Sequence, residues 1–178
     1  LTEGKNHEEK EQFVNSLYEK TGKCNFVKLS YLGNFNLSEN NWHEDIRDLD
    51  GSPYKGKLDI LVGGSPCQSF STYGKKRGLE DTRGTLFYDY ARISQESQPK
   101  VFIYENVQNV LKNDKGRTWE IMKEVWDSLG YELYYDILNA QDYGTPQLRR
   151  RLFLIGFRKD VIKGKTYHFP EKQELTRF

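Results

Sequence analysis

Three groups of residues in this sequence have a setting in which covalent or acid–base chemistry is feasible. Cys67 stands in Gly64-Ser65-Pro66-Cys67-Gln68-Ser69-Phe70-Ser71, a polar stretch directly after a short apolar run. A thiol acts as a nucleophile when it is exposed and positive charge or backbone amides stabilise its thiolate. The plainer alternative is a buried structural cysteine, the common fate of this residue. A polar loop argues against that for Cys67, whereas Cys24 has no such setting and reads as structural. Glu105 closes the apolar run Val101-Phe102-Ile103-Tyr104. A carboxyl there is costly unless paired or functional. On position alone it fits a loop-capping carboxylate equally well. With a raised pKa it would suit protonation of, or hydrogen bonding to, a ring nitrogen. Arg149-Arg150-Arg151 leads into Leu152-Phe153-Leu154. Strand alternation puts Arg149 and Arg151 on one face and Arg150 on the other. Two guanidiniums on one side can hold an anion or a polar substrate, and a solvated charge run is the alternative. Lys75-Lys76-Arg77 and Arg83 are solvated if taken singly. As a set near a nucleophile they could follow a phosphate backbone.

The elements that must position these residues are an alternation of strands and helices. Leu58 to Val62 is a short apolar run ending at Gly63-Gly64, the pattern of a buried parallel strand. Thr85 to Gln95 predicts a helix, with Leu86, Tyr90 and Ile93 on one face. Val101 to Tyr104 predicts a second buried strand ending at Glu105-Asn106. Thr118 to Leu129 is an amphipathic helix stopped by Gly130. Tyr131 to Leu138 and Arg151 to Phe157 predict two more strands. This order gives an α/β fold with a parallel sheet. Open sheets of that kind bind ligands at the carboxyl ends of their strands, where Cys67 and Glu105 both fall. Upstream, His7 to Lys20 predicts a charged helix capped by Asn6 and stopped by Gly22. Residues 23–56 read as irregular, with one or two short strands such as Phe26-Val27-Lys28-Leu29.

Composition narrows the classes further. The chain has 178 residues, with 27 Lys and Arg against 26 Asp and Glu, a net charge of +1. That excludes an acidic tail protein and a globally basic nucleic-acid coat, but not a local basic face. Hydrophobic residues are 36% and aromatics 14%, enough aromatic content to argue against plain disorder. Two cysteines cannot build a disulfide framework, and His7, His43 and His168 are too dispersed for a metal site. No apolar run approaches the roughly 18 residues of a membrane span. The expected location is the cytoplasm, with no membrane partner. No G-x-G-x-x-G or P-loop occurs.

Taken together, four blocks go further than these patterns. They are Ser65-Pro66-Cys67-Gln68-Ser69-Phe70-Ser71, Glu80-Asp81-Thr82-Arg83-Gly84-Thr85-Leu86-Phe87, Glu105-Asn106-Val107, and residues 139–151 from Asn139-Ala140-Gln141-Asp142-Tyr143-Gly144 through Thr145-Pro146-Gln147-Leu148-Arg149-Arg150-Arg151. In this order and at this spacing they closely resemble the DNA cytosine-5 methyltransferases of bacterial type, over about His43 to Arg158. The resemblance implies a Rossmann-like α/β sheet of the S-adenosylmethionine-dependent methyltransferases, incomplete at its N-terminal strands. It implies a helical and irregular segment over 1–42, a catalytic core over 43–160, and an extension over 161–178 toward a target-recognition region.

The resemblance also assigns roles. Cys67 matches the nucleophile that attacks carbon 6 of cytosine, and Glu105 the carboxyl that engages the ring nitrogen and exocyclic amine. Arg151 matches the arginine that holds the base carbonyl and positions the glutamate, with Arg149 its companion. Asp45 resembles the acidic contact to the adenine amine of S-adenosylmethionine, with Ile46 beside it. Pro66 and Leu86 match positions lining that cofactor. Gln68, Ser71, Lys75 and Arg83 fall in the loop that closes over double-stranded DNA. A restriction enzyme acting on the same site is an implied partner, and a second subunit if the enzyme is split. The glycine-rich cofactor motif, the acidic end of the second strand and the late cofactor motifs of such enzymes are not found. Two alternatives remain beside the DNA enzyme. One is a relative acting on tRNA cytosine, although those favour Pro-Pro-Cys-Gln where this chain has Ser65. The other is a non-catalytic or split-subunit remnant that binds DNA.

Overall fold

The computed structural model describes residues 6, 9, 12–13, 16–18, 20, 24–35, 37–38, 41–66 and 86–173. They fall into two units, 1–49 and 50–178.

In the first unit, the described residues between 9 and 20 are helical. Asn6 caps this stretch as expected: its side chain accepts from the Glu9 amide at 2.9 Å, and Glu9 returns a bond from the Asn6 amide at 3.0 Å. That reciprocal pairing satisfies two amides that a helix start leaves open. Helix α1, Phe26–Asn34, replaces the short strands expected from its apolar run. Its start is fixed by Asn25, which accepts from the Lys28 amide at 3.0 Å and is itself held by the Glu44 carboxylate at 2.8 Å. A cap anchored from outside outweighs the weak strand preference of four residues.

The second unit carries a four-stranded sheet. Its strands are β1 (Ile60–Gly63), β2 (Val101–Val107), β3 (Tyr131–Asn139) and β4 (Arg150–Arg158). Helices α2 (Leu86–Ser97), α3 (Arg117–Ser128) and the short α4 (Lys159–Ile162) accompany them. The strand order is β1-β2-β4-β3. β1 and β2 are parallel, but β4 runs antiparallel to both β2 and β3. The all-parallel expectation is therefore corrected to a mixed sheet. Residues 140–149 hold only a short 3-10 turn, and so brief a link can return a strand only antiparallel to its neighbour. β2 is also longer than expected and carries Glu105-Asn106-Val107 within the ladder.

One face of the sheet receives α2 and α3. Phe102 stacks on Trp126 with centroids 4.0 Å apart, and Phe87 and Tyr90 meet Tyr104 and Trp126 edge-on. Edge-to-face and offset rings suit the charge distribution of aromatic faces and rims. Gly156, on β4 opposite Phe102, leaves the space that the Phe102 ring fills: a Cβ there would lie 1.9 Å from it. Tyr90 donates to both the Leu61 and Ile103 carbonyls, at 3.2 and 3.1 Å, tying β1 to β2 from within the core. Burial pushes the pKa of its hydroxyl strongly upward. α3 ends where Gly130, at φ +83°, gives its amide to the Asp127 carbonyl. No helix among the described residues is long and apolar enough to cross a membrane.

Candidate active site

β2 alternates strictly. Phe102, Tyr104 and Asn106 face the helices and are buried, whereas Ile103, Glu105 and Val107 face the other way and are half-buried. Glu105 therefore leaves the core by its parity in the strand and not by ending it. Across the ladder Glu105 lies opposite Phe153, and Val107 lies opposite Arg151. Arg151 is thus the diagonal neighbour of Glu105 on the same face, a separation that a long side chain spans. Its Nε lies 2.9 Å from the Glu105 carboxylate. Arg149 reaches the same oxygen from 3.9 Å with a more exposed side chain. Arg150 is exposed and begins β4 opposite Asn139. The alternation expected from the sequence thus brings Arg149 and Arg151 together on one carboxylate.

Asn139 fixes the entrance to this arrangement. It is buried, and its side chain accepts the Arg149 amide at 3.1 Å while Ala140 donates to the Arg149 carbonyl at 3.0 Å. The backbone of the arginine run is thereby set before β4 begins. An open groove of about 640 Å³ lies beside the pair, lined by Val107, Gln108, Asn109, Gln147, Arg149 and Arg151 among others. Its size is that of a small-ligand site. Charged donors and amides on its wall suit a planar polar ring with carbonyl and amine groups.

The end of β1 comes against the same part of β2. Gly64 passes so close to Glu105 that a Cβ on it would lie 2.4 Å from the Glu105 carbonyl oxygen. Only glycine permits that approach. Ser65, the next residue, is buried, and Pro66 is exposed. Asn106 donates to the Ser65 carbonyl at 3.1 Å and to the Tyr104 hydroxyl at 2.8 Å. The Tyr104 hydroxyl and Ser65 Oγ are 2.5 Å apart. Sequence reasoning quoted Ser65 and Asn106 as parts of motifs and gave Tyr104 no role. The available signal was two polar groups, Tyr104 and Asn106, two residues apart on the apolar face of a strand.

Of the remaining expected site residues, Cys67, Gln68, Ser71, Lys75 and Arg83 lie outside the described residues. Leu86 opens α2 and is half-buried. Asp45 and Ile46 belong to the first unit. Asp45 caps a 3-10 turn, Ile46–Asp48, and its carboxylate is gripped by the Arg47 guanidinium. As a cofactor contact, Asp45 would offer an amine donor a carboxylate that already accepts from Arg47. Pro66 and Leu86 fit as apolar lining near the ends of β1 and α2.

A family model described as C-5 cytosine-specific DNA methylase matches residues 13–177. The chain belongs to that family. Among its relatives, the orphan methyltransferase M.SPRI of Bacillus phage SPR is 40% identical over 145 residues, 82% of this chain and 33% of the relative. The type II methyltransferase M.HhaI of Haemophilus parahaemolyticus is 48% identical over 120 residues, 67% of this chain and 36% of the relative. The chain thus spans about a third of the length of the curated methyltransferases it matches. The solved structure of a Spodoptera frugiperda DNMT2 mutant superimposes with a TM-score of 0.58 at 23% identity, over 88% of this chain and 46% of that one. That likeness supports the mixed α/β methyltransferase fold described above.

Proposed function

We propose that the chain is part of the catalytic core of an enzyme that methylates carbon 5 of cytosine in double-stranded DNA. The observation that carries this reading is the Glu105 carboxylate, held at 2.9 Å by Arg151 and approached by Arg149, beside an open groove. S-adenosylmethionine supplies an electrophilic methyl group in such a reaction. Asp45, Ile46, Pro66 and Leu86 are the residues of this chain proposed to contact it.

Carbon 5 of cytosine is a weak nucleophile. In the proposed reaction the Cys67 thiolate would add to carbon 6 and convert the ring to an enamine, whose carbon 5 would take the methyl group as its bond to the sulfonium sulfur breaks and a neutral thioether leaves. The Glu105 carboxyl protonates or hydrogen-bonds the ring nitrogen and stabilises the charge that develops there. Arg151 orients that carboxyl and reaches the base carbonyl, with Arg149 as the weaker partner. Loss of the carbon 5 proton then expels the thiolate. The reacting base must leave the helical stack, at a cost of a few kcal/mol. Gln68, Ser71, Lys75 and Arg83 are proposed to bind the strand that surrounds it. A restriction enzyme sharing the target site, or a second polypeptide completing the fold, are the proposed protein partners.

The test is covalent capture on duplex DNA carrying 5-fluorocytosine, whose carbon 5 fluorine cannot leave as a proton does. The full-length protein that carries this chain is expected to form an adduct stable to denaturation. Cys67→Ser is expected to abolish it. An adduct that survives in the Ser variant would overturn the assignment of the nucleophile.

A further inference from the structure

The pair formed by Tyr104 and Ser65 is not used by the chemistry above, and its cost calls for an explanation. Tyr104 is fully buried in the aromatic cluster, and Ser65 and Asn106 are 8% and 3% exposed. Phenylalanine at 104 would make the same ring contacts with Phe87 and Tyr90. The hydroxyl adds only its hydrogen bonds, and a buried hydroxyl is a liability unless they are made.

Those bonds form one connected set. The Val107 amide donates to Asn106 Oδ1 at 2.8 Å, which fixes the orientation of the side-chain amide. Its two Nδ2 protons then serve the Ser65 carbonyl and the Tyr104 oxygen, at 3.1 and 2.8 Å. The Tyr104 hydroxyl and Ser65 Oγ, 2.5 Å apart, share a further bond in which either oxygen can donate. Ser65 is held at both its backbone and its side chain, two residues ahead of Cys67 in sequence and alongside the strand that carries Glu105.

We infer that Tyr104 is a positioning residue, whose hydroxyl clamps the chain at Ser65 onto β2 and so fixes where the Cys67 segment departs relative to the Glu105 carboxylate. The inference rests on the proposed methyltransferase reading for its catalytic consequence, but not for the clamp itself. β2 would then deliver both partners of the reaction. Its outer face presents the carboxyl, and its inner face holds the segment that bears the nucleophile.

The test compares Tyr104→Phe and Ser65→Ala with the parent chain in two measurements. Amide hydrogen exchange is read for the peptide covering residues 61–66 against peptides from β3 and β4. Loss of a buried hydrogen bond predicts about tenfold faster exchange in the first peptide alone. Adduct formation on 5-fluorocytosine DNA by the full-length protein is expected to slow by about tenfold while DNA affinity stays unchanged. Tyr104→Phe also removes the acceptor of the Asn106 bond, so the double variant is expected to match Tyr104→Phe, with Ser65→Ala the milder of the single changes. Unchanged exchange in both variants overturns the clamp. Faster exchange with an unchanged adduct rate overturns its catalytic role. If the parent chain forms no adduct, the methyltransferase reading fails, and the exchange data alone decide the clamp.

Discussion

The two faces of β2 divide the work of the molecule. Phe102, Tyr104 and Asn106 point to the helices and are almost completely removed from solvent. Glu105, between the last two, carries a side chain 39% exposed and faces two arginines. Adjacent residues of one strand thus occupy a packed aromatic interior and an exposed, charged face. Changes to the ring contacts of the inner face are expected to act on stability and changes to the outer face on the proposed chemistry, with the Tyr104 hydroxyl as the link between the two.

The sharpest way to break this division is to exchange its effects. Phe102→Ala removes the ring stacked on Trp126 and is expected to destabilise the fold by about 3–5 kcal/mol in urea unfolding. Glu105→Gln is expected to leave the unfolding midpoint in place while slowing methyl transfer by about 10²–10⁴-fold. A Glu105 variant as unstable as the Phe102 one would show that the carboxylate is structural. A smaller contrast separates the arginines. Arg151→Ala is expected to slow transfer by about a hundredfold. Arg149→Ala should cost less than about tenfold, since its more distant and exposed pairing is weak. Single-turnover rates of the two variants distinguish these outcomes.

A separate effect, on stability alone, concerns alkaline pH. Burial pushes the Tyr131 hydroxyl up to about 12 and Tyr90 in the same direction. Each folded pKa lies above the unfolded value near 10. Their contribution to stability is therefore complete below pH 10 and is lost as pH rises toward 12. Urea midpoints should fall over that window, and Tyr131→Phe should flatten the fall. A midpoint independent of pH there would place these hydroxyls in water.

Much of this was legible from residue order. Strand alternation placed Arg149 and Arg151 on one side, and they meet on Glu105. The positions of α2 and α3 followed from apolar spacing, and the Asn6 cap from its residue type. Strand direction did not follow, because the antiparallel course of β4 depends on the tertiary path of residues 140–149. Helix α1 was hidden because its cap depends on Glu44, which lies far along the chain from Asn25. The Tyr104 hydroxyl was hidden for a similar reason. A tyrosine in an apolar run reads as an aromatic, and the approach of Ser65 to its oxygen depends on the tertiary course of the chain after β1.

Gly156 was met above as the gap into which the Phe102 ring fits. Seen along the ladder instead of across it, that gap is an alignment key. A slip of one residue between β2 and β4 would drive the ring into a side chain and turn Arg151 to the opposite face of the sheet. The absence of one side chain in the interior therefore gauges how far apart the carboxylate and its arginine stand, three positions along the ladder from Glu105.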